Sequence, residues 1–186
     1  MARRILRFDP PDRFIAGTIG EPGRRTFHLQ AIGGGIAATV VVEKSQVAVL
    51  ARRIADMLRD LAEGGAIKLP PRAPRLGIGQ PRLDEPFSAE FRVGTIALSW
   101  DPSTARLTLE FRDDMRDEQE GEAPPPINDA PDGPDVLRVS LSAAAALDFA
   151  EQSLELTVAG RPTCPLCGVP IEAGGHRCER RAAYLN

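Results

Sequence analysis

The sequence is poor in the residue types that most often carry chemistry or cross-link a chain. Its 186 residues include three cysteines, two histidines, one tryptophan and one tyrosine. An odd number of cysteines, all within one short stretch, does not suit a disulfide framework. No hydrophobic run approaches the roughly 20 residues that a membrane-spanning helix requires, and the N-terminal stretch has no apolar signal core. We therefore expect a soluble, cytoplasmic globular protein with no membrane partner.

Positive charge comes almost entirely from arginine, because Lys44 and Lys68 are the only lysines. Six arginines crowd the first 25 residues, at positions 3, 4, 7, 13, 24 and 25. A sheet with such a basic surface is one way to bind nucleic-acid phosphates. Proteins that bind single strands also use exposed aromatic side chains for base stacking, and aromatic residues make up only 5% of this chain. Nucleic-acid binding is therefore an alternative and not the leading hypothesis.

Negative charge is concentrated in residues 113–135. Nine acidic residues and one arginine give this segment a charge of −8, so the rest of the chain carries +5 of the total of −3. The segment is also rich in proline and has too few apolar residues to bury. We expect it to be a disordered or loosely tethered insert within a domain of residues 1–160.

The first half of the chain predicts a run of strands followed by an amphipathic helix. Short segments rich in β-branched and aromatic residues predict strands at 3–8, 13–19, 25–32 and 36–43. Gly33–Gly35 lie between two of these strands and predict a hairpin turn. A helix is predicted at about 45–63, with Ser45 as its N-cap. Its apolar stripe comprises Val47, Leu50, Ile54, Leu58 and Leu61.

The second half repeats this pattern. Strands are predicted at 87–93, 95–101, 105–112 and 136–141. Ser142 is placed to cap a second helix, whose predicted apolar positions are Ala146, Leu147, Ala150, Leu154 and Val158. The order of elements predicts an α+β fold in which two similar βββ(β)α units form antiparallel sheets covered by two amphipathic helices. This order resembles that of the Whirly and PUR nucleic-acid-binding folds.

All three cysteines lie in the stretch TCPLCGVPIEAGGHRC, at 163–178. Cys164 and Cys167 form a CxxC pair, and after eight intervening residues His176 and Cys178 form an HxC pair. Thiolate and imidazole are the ligands that Zn²⁺ prefers, and four protein ligands leave no open position for catalysis. The spacing predicts a structural zinc knuckle in a C-terminal tail of residues 161–186.

Other readings of the candidate residues carry less weight. A CxxC pair alone also occurs in thiol redox proteins, but there it opens a helix after a strand, whereas here it follows GRPT. His28 lies in a predicted strand without a nucleophile nearby in sequence, and we interpret it as a histidine that lines a sheet face. Acidic residues such as Asp84 and Asp114 stand at loop ends, where they are usually solvated. No catalytic residue and no cofactor-binding residue is predicted.

Three segments resemble an uncharacterised family of Actinobacteria that is described as a domain of unknown function. These segments are FDPPDRFIAGTIGEPGRRTFHLQA at 8–31, AEFRVGTIALSWD at 89–101 and AGRPTCPLCGVPIEAGGHRCER at 159–180. The resemblance implies a cytosolic protein that ends in a CPLCG and HxC tail. It also implies a shared pathway with a phosphatidylinositol-kinase-like protein and a phosphoglycerate-mutase-like phosphatase, whose genes tend to be neighbours in the family.

Three functional hypotheses follow from the sequence. The leading one is a non-enzymatic, zinc-stabilised binding or adaptor protein, whose partner belongs to the same pathway. The second is a nucleic-acid-binding protein that uses the arginine-rich sheet. The third is an enzyme that acts on a phosphorylated small molecule in a pocket between the two halves.

Overall fold

The computed structural model describes residues 3–20, 24–69, 82–85, 87–114 and 129–158, together with Cys164, Leu166, Cys167 and Cys178. Most of the predicted acidic insert lies outside these described residues, and so does most of the predicted tail, including His176. No helix in the described ranges is long and apolar enough to cross a membrane.

The described chain forms strands and helices in the predicted order. Their bounds are β1 Ile5–Phe8, β2 Arg13–Ile19, β3 Thr26–Gly33, β4 Ile36–Val42, α1 Lys44–Glu63, β5 Ala89–Arg92, β6 Thr95–Asp101, β7 Arg106–Arg112, β8 Val136–Ser142 and α2 Ala143–Val158. Gly34 and Gly35 form the predicted turn between β3 and β4, with φ angles of 59° and 76° that favour glycine. Ala105 has a φ of 52°, so β7 begins one residue later than predicted.

The α+β prediction is confirmed: the fold contains two helices and two four-stranded sheets. One sheet has the strand order β2-β3-β4-β5, and the other has the order β1-β8-β7-β6. Strand β3 pairs antiparallel with β2 and β4, and β7 pairs antiparallel with β6 and β8, as predicted. The fourth strand of each sheet is added in parallel, since β5 pairs with β4 and β1 pairs with β8. Each half of the chain therefore contributes its first strand to the sheet of the other half.

The inner faces of both sheets and the buried sides of both helices form one hydrophobic core. In β7, for example, Leu107, Leu109 and Phe111 point into this core and are fully buried. Side chains alternate between the faces of a strand, so Glu110 and Arg112 lie on the opposite face of the sheet. This alternation places a charged side chain at a buried position outside the apolar core.

Helix α1 follows the prediction at four of its five stripe positions and differs at its start. Val47, Leu50, Ile54 and Leu58 are buried, and Leu61 is half-buried. The N-cap is Glu43 and not Ser45, because Gln46 folds back and its Oε1 accepts a hydrogen bond from the Glu43 N–H at 2.9 Å. This is a capping-box geometry, which satisfies an amide at the helix start that would otherwise be unpaired.

Helix α2 is capped as predicted, and four of its five predicted apolar positions are in the core or packed against it. The Ala145 N–H donates to Ser142 Oγ at 3.2 Å. Ala146 and Ala150 are buried, whereas Val158 is 58% exposed. The core also receives Phe149, whose ring stacks on that of Phe14 at a centroid distance of 4.5 Å. Apolar residues surround much of this helix, so their spacing alone did not identify Phe149 as part of the buried face.

Candidate metal centre

The sulfur atoms of Cys164, Cys167 and Cys178 converge to within 4.8 Å of one another. The Sγ atoms of Cys164 and Cys178 are 3.7 Å apart, and none of the three cysteines forms a disulfide. Sulfurs at about 2.3 Å from a zinc ion lie about 3.8 Å apart along a tetrahedral edge. The spacing of Cys164 and Cys178 therefore suits two ligands of one ion and is far too long for a sulfur–sulfur bond.

The turn after Cys164 favours the metal-binding form of its thiol. Backbone N–H groups of Cys167 and then of Leu166 donate to the Cys164 sulfur, and they lower the pKa of this thiol to about 7. Hydrogen bonds from amides stabilise the negative thiolate relative to the neutral thiol. Cys164 itself is buried, while Cys167 and Cys178 are half-buried. The cluster can thus present a thiolate at neutral pH in a site that is partly shielded from water.

The structure brings together three of the four residues predicted to bind zinc. The fourth, His176, lies outside the described residues. Within the described ranges, no other set of three cysteine, histidine or acidic side chains lies close enough to share an ion. The donor set that is placed, three thiolates, suits a soft or borderline cation such as Zn²⁺ and does not suit Mg²⁺ or Ca²⁺.

His28 lies on the outer face of the first sheet, as its position in a predicted strand suggested. It is 6% exposed, and its ring meets the edge of Phe87 at a centroid distance of 5.4 Å. Burial lowers the pKa of this imidazole below its ordinary value because the charged form is poorly solvated. A neutral, covered histidine that is remote in sequence from any nucleophile fits a packing role.

Residues 82–85 form a strap over this outer face. Gln30 is fully buried. Its side-chain Oε1 accepts a hydrogen bond from the Asp84 N–H at 2.8 Å, and its Nε2 donates one to the Asp84 carbonyl oxygen at 3.1 Å. Leu83 fills the space above Gly17, where an added Cβ would lie 2.6 Å from Leu83 Cγ. In the sequence, the only trace of this cover is a glutamine within a predicted strand, and its burial is seen only in the structure.

A buried ion-pair layer lies on the outer face of the second sheet. Glu110 is fully buried, and its Oε1 accepts from Arg112 Nε at 2.7 Å. Its Oε2 accepts from Arg138 at 2.6 and 2.8 Å, and Arg138 also contacts Asp129 at 2.6 Å. The Arg138 guanidinium, followed by that of Arg7, holds the pKa of Asp129 below its usual range. The end of the acidic segment is therefore tied to the sheet by charge.

A groove of about 1390 Å³, here called the α1–β6 groove, separates helix α1 from strand β6. Apolar side chains in its lining include Val49, Leu50, Met57, Leu61, Ile96 and Leu98. Its charged lining residues are Arg53, Asp56 and Asp60, all on the helix. Val49 is 54% exposed and lies off the predicted stripe, which is unusual for a large apolar residue on a helix surface.

Comparisons with known proteins place the chain in one family. Curated proteins yield no match, and solved structures yield none, so the likeness in element order to the Whirly and PUR folds gains no support there. A family model described as "Protein of unknown function (DUF3090)" matches residues 6–178. This range includes both helices, all three cysteines and, apart from Ile5, both sheets. The chain therefore belongs to this family of proteins of unknown function, DUF3090.

Proposed function

We propose that this protein is a non-enzymatic binding or adaptor protein whose C-terminal tail is held by a structural zinc ion. The observation that carries the proposal is the convergence of three cysteine sulfurs to within 4.8 Å. His176 is the proposed fourth ligand, because it lies two residues before Cys178 in sequence. Three thiolates and one imidazole form a common zinc ligand set.

The proposed role of the ion is to fold the tail and not to catalyse a reaction. A catalytic zinc site normally keeps one position for water, and four protein ligands close that position. A tail of residues 161–186 is too short to bury a core of its own. Metal binding would supply the folding free energy that such a short segment lacks.

Elemental analysis of the purified protein tests the ligand set. We expect one zinc ion per chain in the unsubstituted protein and a large loss of bound zinc in Cys167→Ser and in His176→Asn. His28→Asn is the matched control, because it removes the only other histidine and leaves the cysteine cluster intact. Far-ultraviolet circular dichroism should show that the two-helix body stays folded in Cys167→Ser. Full zinc content in Cys167→Ser would show that the ligand assignment is wrong.

Cobalt substitution tests whether the site is closed. Co²⁺ in place of Zn²⁺ should give the intense visible bands of a tetrahedral, thiolate-rich site. These bands should not change when azide or imidazole is added, because no coordination position is open. A spectral change that saturates with azide would indicate an open, catalytic type of site.

Contacts of the N-terminal arginines count against the nucleic-acid alternative. In the described residues, Arg4, Arg7 and Arg13 each contact a carboxylate at 3.0 Å or less. The ion pairs are Arg4–Asp135, Arg4–Glu90, Arg7–Asp129 and Arg13–Asp84. The phenylalanines of the same region, Phe8, Phe14 and Phe27, are buried in the core and cannot stack on bases. Retention on single-stranded DNA or RNA at low salt would reverse this ranking.

The lining of the α1–β6 groove likewise gives little support to an enzyme that acts on a phosphorylated molecule. Its charged residues are one arginine and two aspartates, and the rest of its lining is largely apolar. Two carboxylates beside one guanidinium repel a phosphate more than they attract it. We therefore keep a protein partner as the proposal. By the family resemblance given above, this is a kinase-like or phosphatase-like neighbour of the same cytoplasmic pathway.

A further inference from the structure

The two helices differ in how they meet the outermost strand of the sheet beside them. β2 and β6 are corresponding edge strands, each the first strand of its antiparallel meander. Helix α2 packs directly against β2, whereas α1 makes few close approaches to β6. Ala146, Ala150 and Ser153 are small and buried on α2, which also packs closely against α1. Helix α1 instead turns larger residues towards β6, and the α1–β6 groove opens between them.

Strand β6 also has an unpaired edge beside this groove. It pairs with β7 on one side, and it has no strand partner on its other side in the described chain. In an edge strand, alternate residues point their backbone N–H and C=O groups away from the neighbouring strand. An apolar groove that borders such an edge is a typical docking surface for another polypeptide.

Charges on the groove side of α1 indicate which polypeptide fits. Arg53 and Asp60 are seven residues apart, which is about two helical turns, so they lie on the same side of α1 about 10 Å apart. Both are exposed and both line the groove. If a second α1 lies antiparallel across a two-fold axis near Asp56 and Met57, Arg53 of each copy comes level with Asp60 of the other. The third charged lining residue, Asp56, lies near this axis, and its carboxylate is paired with Arg59 of its own helix at 3.0 Å, which offsets its charge. With Asp56 paired in this way, the surface is complementary to itself, as a two-fold interface requires.

We propose that the α1–β6 groove is the interface of a homodimer, in which the partner is a second copy of this chain. The two α1 helices pack antiparallel, and each copy covers Val49, Met57 and Leu98 of the other. Arg53 pairs with Asp60 across the axis twice, because the two-fold repeats every contact. None of the three cysteines lines the groove, so the proposal does not depend on the proposed function.

Exchanging the charges of Arg53 and Asp60 gives a specific test, in which sedimentation equilibrium at roughly micromolar concentrations measures the dimer affinity. Arg53→Asp and Asp60→Arg should each weaken the dimer about tenfold or more, because each substitution creates two like-charged pairs. An equimolar mixture of these two variants should associate as tightly as the unsubstituted protein, since the heterodimer regains both opposite pairs. The double variant Arg53→Asp/Asp60→Arg should also dimerise. Arg52→Asp is the matched control, because Arg52 is exposed on α1 but does not line the groove.

Hydrogen exchange locates the interface independently. Amides of β6 and of α1 should gain protection as the protein concentration rises, while those of the β3–β4 turn should not. The proposal is overturned if the unsubstituted protein stays monomeric at roughly 100 µM. It is also overturned if folded Arg53→Asp dimerises like the Arg52→Asp control, or if the mixture of the two single variants does not associate. The proposal is likewise overturned if the protein stays monomeric and binds an unrelated polypeptide in the groove.

Discussion

Replacing Glu110 by glutamine should cost more stability than the loss of any surface ion pair in the described chain. Glu110 is fully buried and accepts hydrogen bonds from Arg112 at 2.7 Å and from Arg138 at 2.6 and 2.8 Å. Glutamine keeps the shape of the side chain but removes the negative charge. The Arg112 guanidinium, whose side chain is 5% exposed, then loses the buried carboxylate that it contacts at 2.7 Å.

The magnitude follows from the environment of the two arginines. Removing one partner of a buried ion pair typically costs about 3–5 kcal/mol, because a buried charge is left uncompensated. Arg138 keeps its contact with Asp129 at 2.6 Å and is 12% exposed, and Arg112 has a further interaction besides Glu110. Neither guanidinium is therefore left wholly uncompensated. We therefore expect a decrease of about 3 kcal/mol in the free energy of unfolding, at the lower end of that range.

Urea unfolding followed by circular dichroism measures this decrease. With an m value of roughly 2 kcal/mol per molar urea, the midpoint should fall by about 1.5 M. Asp56→Asn is the matched control, because it breaks an ion pair with Arg59 in which both side chains are about 60% exposed. Such a surface pair contributes less than about 1 kcal/mol, so the midpoint of the control should hardly move.

A midpoint shift in Glu110→Gln no larger than that of Asp56→Asn would refute this reasoning. A second variant separates charge from packing. Replacing both Glu110 and Arg112 by leucine removes the buried pair as a unit and should recover much of the lost stability, because apolar residues of similar volume tolerate burial. If this double variant is less stable than Glu110→Gln, the carboxylate acts through shape and hydrogen bonding and not through neutralisation of charge.

Three further predictions concern the strap, the second helix and the cysteine cluster. Gly17→Ala should cost about 1–2 kcal/mol of stability, since the new Cβ would lie 2.6 Å from Leu83 Cγ. It should also expose the 82–85 strap to limited proteolysis. An unchanged melting temperature and an unchanged cleavage pattern would contradict this prediction. Ser142→Ala should cost about 1 kcal/mol in thermal unfolding because the Ala145 N–H loses its acceptor, whereas Ser142→Asn should restore most of the loss. In the reduced, metal-free protein, ultraviolet thiolate absorbance should show a first deprotonation near pH 7, which Cys164→Ser abolishes. A first deprotonation near the ordinary thiol pKa would show that the backbone N–H groups do not stabilise the Cys164 thiolate.

The sequence predicted most of the secondary structure, because the signals for it are local. Alternation of apolar and polar residues predicted the strands, and apolar spacing of three and four residues predicted the buried stripe of α1. The cysteine cluster was also accessible from sequence, since Cys164, Cys167 and Cys178 lie within fifteen positions and a short segment can bring them together without the rest of the fold. The N-cap of α1 was placed wrongly because Glu43 and Gln46, three residues apart, form a capping box that starts the helix before Ser45.

Pairing between distant strands was decided only by tertiary structure. Nothing local in β1 indicates that it pairs with β8, about 130 residues later, and not with its neighbour β2. The parallel strand additions, the burial of Glu110 between two arginines, the strap over His28 and the face of α2 that meets Phe14 all depend on which surfaces the folded chain brings together. Local sequence determines how a segment hydrogen-bonds within itself, whereas the free energy that selects its partners comes from burying surfaces contributed by remote parts of the chain.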